Sequence, residues 1–137
     1  MKRLVILTLV ILGFASKIDA QQDLTQTIRY RTPFAYEQIT IDATAGGIAL
    51  TAATYNPVVT DSPAGMTRAE LAVINCQVAQ LRYRVDLVAA VTASVGMTFN
   101  AGEEKLIYGF VAIQQFRGIR TTATSAVCDV TYYRNRQ

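Results

Sequence analysis

The chain has 137 residues, 51% of them hydrophobic and 17% charged, which is typical of one packed domain rather than of a disordered chain. It contains no histidine and only two cysteines. Within this chain, these counts exclude Ser-His-Asp and Cys-His catalysis, zinc sites that use imidazole, and zinc sites with four thiolate ligands.

Residues 1–20 are predicted to be a cleaved secretory signal peptide. Lys2 and Arg3 give a positive start, residues 4–15 (LVILTLVILGFA) are apolar, and Ala20 is a small residue at a suitable cleavage position. The apolar run is shorter than the roughly 20 residues that a bilayer span needs, so we expect no stable membrane span. An uncleaved first helix and a wrongly chosen start codon are the alternatives.

Removal of this leader changes the charge of the chain. Residues 1–20 hold three basic residues and one acidic residue, so the formal net charge falls from +3 to +1. So small a charge gives no reason to expect a nucleic acid partner. We therefore expect one exported domain over residues 21–137, in the periplasm or outside the cell.

Residues 21–137 are predicted to form an all-β domain. Short segments that alternate, or that carry β-branched and aromatic residues, are separated by turn signals. In chain order they are residues 26–31, which Pro33 ends, then 36–42, 48–55, the dense stretch 68–86, 96–99, 105–110, 113–120 and 126–133. Their number and spacing predict a single antiparallel β-sandwich of the jelly-roll or immunoglobulin-like kind.

The sequence leaves alternatives open for the connections between these segments. The inward positions of the stretch 68–86 change phase at residues 79–80, which predicts a bulge or a hairpin there. A helix over residues 67–80 is the alternative. Residues 87–95 are apolar and small, which fits either a short strand or a packed loop, and residues 100–104 (NAGEE) are typical of a hairpin turn.

Cys76 and Cys128 each alternate in phase with apolar neighbours, so both are predicted to face the interior. In an exported protein, such a pair can close a disulfide. The bond would enclose about 50 residues and stabilise the fold by roughly 3–4 kcal/mol in the chain-entropy model. Two buried free thiols are the alternative.

Arginine outnumbers lysine nine to one after residue 20. Arginine and tyrosine are enriched at protein interfaces, and arginine also suits carboxylate or phosphate recognition. The candidate interface residues are Arg29, Arg31, Arg82, Arg84, Arg117, Arg120 and Tyr133. The alternative is an outward strand face whose arginines pair with Glu70, Asp86 and Asp129.

The acidic residues give little support for catalysis. Glu103 and Glu104 are adjacent, so in a strand they would face opposite ways and could not flank one bond. The other carboxylates are scattered along the chain. We therefore expect a non-enzymatic protein without catalytic, metal-binding or cofactor-binding residues.

Four segments carry a resemblance to a known group of proteins. They are residues 81–86 (LRYRVD), 94–104 (SVGMTFNAGEE), 113–121 (IQQFRGIRT) and 128–134 (CDVTYYR). Together they resemble small β-sandwich structural proteins of tailed bacteriophages and prophages. The resemblance implies a structural or assembly protein of a virion surface, head, neck or tail, with protein partners and a homo-oligomeric state.

An exported bacterial binding module is the alternative function. It would be an adhesin-like or carbohydrate-binding β-sandwich, with a glycan as a candidate ligand. Its contact surface would be the arginine and tyrosine group or the turn-rich loop of residues 56–65.

Overall fold

A computed structural model describes residues 31–58, 68–86 and 88–135 of the chain. All of them except Arg31 and Thr32 belong to one unit, Pro33–Asn135. The predicted signal peptide, Arg29 and most of the loop over residues 56–65 lie outside the described residues.

Strands dominate the described residues. They are β1 (Arg31–Ile41), β2 (Leu71–Gln77), β3 (Leu81–Arg84), β4 (Met97–Phe99), β5 (Glu104–Tyr108), β6 (Arg117–Arg120) and β7 (Ala126–Asn135), with two short helices, α1 (Ala52–Tyr55) and α2 (Phe110–Gln115). A four-stranded sheet has the order β1-β7-β2-β5, and a three-stranded sheet has the order β4-β3-β6. Pairing is antiparallel around β2 and around β3, which confirms the prediction of a mostly antiparallel β fold.

One hydrophobic cluster contains side chains from both sheets. In β7 the alternate residues Ala126, Cys128, Val130 and Tyr132 are fully buried, and the residues between them are half-buried. This period of two is what a strand with one face on a core requires. The largest fully buried side chains, Tyr132, Phe99 and Phe116, come from different parts of the chain, so the cluster ties distant segments together.

The predicted phase change after β2 is neither a bulge nor a hairpin, because β2 and β3 belong to different sheets. The turn is very tight: Ala79 N–H donates to Gln77 O at 2.9 Å, around Val78 at φ 76°. This is the geometry of a γ-turn, which a β-branched residue adopts only under strain. The prediction failed because alternation reports a change of face but not a change of sheet.

The predicted hairpin turn at residues 100–104 is also wrong, since β4 pairs with β3 whereas β5 pairs with β2. The turn carries the chain from one sheet to the other. It lies beside the β2–β3 connection, because Gly102 N–H donates to Cys76 O at 2.7 Å and Gln80 Nε2 donates to Asn100 Oδ1 at 2.7 Å. Thr121, just after β6, donates its hydroxyl to Gln80 O at 3.0 Å. We call this meeting point of three connections the crossover corner.

Three local predictions are corrected by tertiary context. β1 continues through Pro33, which is tolerated because β1 is the end strand of its sheet order. The predicted strands over residues 48–55 and 113–120 are wrong in part, because residues 52–55 form α1 and residues 113–115 belong to α2. Residues 117–120 form β6 as predicted. Short apolar runs do not distinguish strand from helix. Conversely, β2 replaces the helical alternative for residues 67–80.

Cys76 and Cys128 lie directly opposite each other on β2 and β7, and they form a disulfide. Both are fully buried, which confirms that they face the interior. The bond closes a segment with a sequence separation of 52 and lies at the end of β2 next to the crossover corner. It therefore fixes the register of the two central strands where the chain leaves their sheet.

We predict that the double variant Cys76→Ala/Cys128→Ala loses roughly 3–4 kcal/mol in free energy of unfolding, because the unfolded chain regains the entropy of an open loop. Denaturant titration of both proteins measures the difference. Thiol counting on the unfolded wild type is the check: two reactive thiols without reductant would contradict the bond.

The turn between β4 and β5 also contains the most shifted carboxyl that the structure describes. Glu103 accepts hydrogen bonds from Asn100 Nδ2 at 2.9 Å and from Asn100 N at 3.1 Å, and Lys105 Nζ lies 3.2 Å away. These contacts favour the carboxylate and lower the pKa of Glu103 to about 2. A group with a depressed folded pKa stabilises the fold above its unfolded pKa of about 4.3 and loses that contribution as the pH falls.

We therefore predict that the wild type loses stability between about pH 4.5 and pH 2, and that Glu103→Gln loses less over the same range. Denaturant titrations at several pH values measure this slope. Glu104→Gln is the matched control, because Glu104 is the exposed neighbour of Glu103, and it should keep the wild-type slope. Equal slopes for both variants would contradict the assignment.

Candidate functional site

Four candidate interface residues lie on the paired strands β3 and β6. Arg84 stands directly opposite Arg117 in the register, and Arg120 stands opposite the buried Leu81. Residues directly opposite each other share a face of the sheet. Arg82, Arg84 and Arg117 therefore project from the outer face of the three-stranded sheet, while Arg120 belongs to the other face.

Arg82 holds a loop against this outer face. Its Nε donates to Ala93 O at 3.1 Å, and its Nη1 donates to Gly96 O at 2.8 Å. Thr92 Oγ1 accepts the Val95 N–H at 3.0 Å, which closes a turn within the loop. Residues 88–96 thus form an exposed loop that Arg82 binds through main-chain carbonyls.

Val91 packs the loop of residues 88–96 against Gly47, which lies in the connection between β1 and α1. It is only 2% exposed, and a Cβ on Gly47 would lie 2.5 Å from Val91 Cγ1. Gly47 also has φ 81°, a conformation that favours glycine. No larger residue fits there without moving Val91, so Gly47 sets how closely the loop approaches the sheet.

A small open pocket remains beside Val91, and we call it the arginine pocket. Its volume is about 110 Å³. It is lined by Gly46, Arg84, Ala89, Ala90, Val91, Gln115 and Arg117. Two arginines thus line a space whose loop side is formed by small apolar residues.

Arg84 is held in place by Asp86. Arg84 Nε and Nη2 donate to the two carboxylate oxygens of Asp86 at 2.9 and 2.7 Å, a side-on bidentate pair. These hydrogen bonds lower the pKa of Asp86 and raise the pKa of Arg84. Asp86 therefore occupies one of the two guanidinium edges at the pocket.

Arg117 is anchored differently. Its Nη1 donates to Gln114 O at 3.2 Å and to Phe116 O at 2.6 Å, so it binds carbonyls at the end of α2. Its Nε and Nη2 have no hydrogen-bond partner among the described residues. In Arg84, the same Nε and Nη2 groups donate to Asp86. Among the described residues, the two lining arginines and the aspartate bound to Arg84 leave an excess of one positive charge at the pocket.

The remaining predicted site residues lie elsewhere. Arg120 Nη1 donates to Ala123 O at 2.6 Å and to Ser125 Oγ at 3.3 Å, beside the crossover corner. Tyr133 is half-buried on β7, in the other sheet, and Arg31 begins β1. Within the unit Pro33–Asn135, the structure therefore places the candidate arginines of β3 and β6 and Tyr133 in different sheets instead of on one surface.

The predicted charge pairs are only partly present. Asp86 binds Arg84, but Glu70 pairs with Arg68 at 3.0 Å. Asp129 accepts hydrogen bonds from Tyr36 Oη at 2.5 Å and Gln38 Nε2 at 3.0 Å. Sequence reasoning missed Gly46 and Gln115 in the pocket lining, because neither stands in a recognisable motif.

Other kinds of site and the known proteins add no further assignment. Residues 31–58, 68–86 and 88–135 contain no group of three or more His, Cys, Asp or Glu side chains placed to hold a metal ion. No helix in those same ranges has the length and hydropathy of a membrane span.

No family model matches the chain, and no curated protein or solved structure matches it at a significant level. The likeness to phage structural proteins therefore stays a prediction.

We predict that Gly47→Ala destabilises the protein more than Gly46→Ala. Both glycines have positive φ (81° and 85°), so both variants carry a similar backbone strain of about 1–2 kcal/mol. A Cβ on Gly46 meets nothing within 4 Å, whereas a Cβ on Gly47 overlaps Val91. Overpacking should add about 1–3 kcal/mol to the loss for Gly47→Ala.

Denaturant titration gives the two losses, and amide hydrogen exchange over residues 88–96 reports whether the loop has lifted. Equal losses with unchanged exchange would show that Val91 does not depend on Gly47.

Proposed function

We propose that the chain is a non-enzymatic structural or assembly protein, built as a single antiparallel β-sandwich and acting in an exported or virion-associated assembly. The disulfide supports export, because such bonds persist in oxidising compartments. The resemblance to phage structural proteins supports the assembly role. The remaining support comes from the edge of the four-stranded sheet.

The observation that carries this proposal is the length and position of β1. It spans Arg31–Ile41, eleven residues, and it ends the order of the four-stranded sheet. Among the described strands, only β7 lies beside it. An edge strand offers main-chain N–H and C=O groups that can pair with a strand of another chain.

The side chains of β1 favour such pairing. From Thr32 to Ile41 the one charged residue is Glu37, and edge charges are a common means of preventing strand addition. The Glu37 carboxylate accepts hydrogen bonds from Tyr132 Oη and from Thr51 N, so it is engaged within the chain. Pro33 lacks an N–H, which places the pairing segment after it, over residues 36–41.

A second copy of this chain is the partner that fits. An antiparallel contact of β1 with its counterpart would be self-complementary, which is how most homodimers are built. Tyr36, which is 59% exposed, would contribute aromatic surface next to that contact.

The test is the association state of the purified chain by sedimentation at micromolar concentration. We expect a dimer or larger oligomer that Thr40→Lys weakens by at least about tenfold, because lysine on an edge strand opposes strand addition. Thr40 is exposed on β1. Thr122→Lys, in the exposed turn before β7, makes the same change of residue and charge and should leave association unchanged.

A wild type that stays monomeric at about 100 µM, a concentration at which micromolar interfaces are occupied, would overturn this proposal. So would equal weakening by both lysine variants, since the contact would then not involve β1.

The second candidate is the exported binding module, and the arginine pocket is the observation that favours it. A concave site with converging polar groups is the usual place for a small ligand. This function does not require oligomerisation, so the sedimentation result leaves it open to its own test.

A further inference from the structure

The two arginines of the pocket form an unusual pair. Arg84 and Arg117 are directly opposite each other on β3 and β6. Like charges in this position destabilise a strand pair unless a counter-charge lies nearby. Asp86 supplies one counter-charge, and it is bound to Arg84. A second negative charge beside Arg117 would relieve the repulsion that is left.

The open edge of Arg117 defines the shape of such a charge. Its Nη1 is fixed by Gln114 O and Phe116 O, so the planar guanidinium has a set orientation. The Nε and Nη2 groups form a two-donor edge whose spacing matches the two oxygens of a carboxylate. Arg84 shows the same edge with a carboxylate in place, because Asp86 binds it through both oxygens.

The volume of the pocket limits the size of the organic group to which the ligand's carboxylate is attached. The pocket volume of about 110 Å³ is smaller than the roughly 150 Å³ of a cavity that encloses benzene. Ala89, Ala90 and Val91 offer a short apolar wall, and Gln115 offers an amide. A carboxylate with a short organic body fits this lining, and a larger body would extend into solvent because the pocket is open.

We propose that the arginine pocket binds one carboxylate group of a small organic acid or a sugar acid, with Arg117 as its bidentate partner. This inference deepens the binding-module candidate and rests on it, but it is independent of the assembly proposal. Arg84 contributes positive charge but no second bidentate contact, because its Nε and Nη2 donors already bind Asp86. The pocket therefore matches one negative charge and favours a carboxylate over a phosphate dianion.

The experiment is an NMR titration of the purified full chain at constant ionic strength. The probes are sodium acetate, sodium glucuronate, glucose and inorganic phosphate. We expect acetate and glucuronate to give saturable shifts at the amides of Ala89, Ala90 and Val91. Glucose should give none, and phosphate should bind at least about tenfold more weakly than glucuronate. Tighter glucuronate than acetate would identify a sugar acid as the source, and the reverse order a small organic acid.

Three variants identify the responsible group. Arg117→Gln should weaken acetate and glucuronate at least about tenfold, and Arg117→Lys should fail to restore them, because lysine keeps the charge but not the fork. Arg120→Gln is the matched control on the same strand, and it should bind as the wild type does. Unchanged dispersion of the amide spectrum shows that each variant is folded.

Several results would overturn the inference. The first is a lack of saturation at about 100 mM probe, because binding would then be weaker than millimolar. The others are phosphate binding as tight as that of glucuronate, full rescue of binding by Arg117→Lys, and an equal loss of affinity with Arg120→Gln. If no carboxylate binds but the chain forms an oligomer that depends on β1, only the pocket proposal is overturned. If the carboxylate binds but the chain is a monomer, only the assembly proposal is overturned.

Discussion

The fold depends on how the chain changes sheets at the crossover corner. The connections after β2, β4 and β6 all pass there, and Gln80 hydrogen-bonds to both Asn100 and Thr121. A few polar contacts between loops would be weak alone. The Cys76–Cys128 bond, one residue before the end of β2, fixes the strands that enter and leave this corner. Covalent linkage and side-chain hydrogen bonds therefore act at the same end of the molecule.

The arginine pocket depends on the pairing of β3 with β6. β3 and β6 are each four residues long, so their few ladder bonds specify register weakly. Both strands meet the corner at Leu81 and Arg120, and from there the register places Arg84 opposite Arg117 at the far end. A shift of one residue would turn Arg117 to the other face. The geometry of the pocket thus depends on this register, which the main-chain hydrogen bonds between Ile48 and Gly118, next to Arg117, also hold.

The sequence predicted what alternation can report. It placed Cys76 and Cys128 inside and indicated a mostly antiparallel β class, both of which the structure confirms. It did not predict to which sheet each strand belongs, because period two is the same in either sheet. It also missed α1 and α2, since a helix of four or six residues is too short for a period of 3.6 to show.

The same limit explains why the candidate site was predicted as a group and found divided. Arg82, Arg84 and Arg117 are equivalent by alternation, yet each binds something different: loop carbonyls, a carboxylate, and carbonyls at a helix end. What separates them is which partner the register brings within hydrogen-bond distance. The Nε of Arg82 and both side-on donors of Arg84 are occupied, whereas both side-on donors of Arg117 are without a partner among the described residues. An arginine acts as a binding residue when local partners fix its orientation without using all of its donors, and that condition depends on tertiary contacts rather than on residue type or spacing.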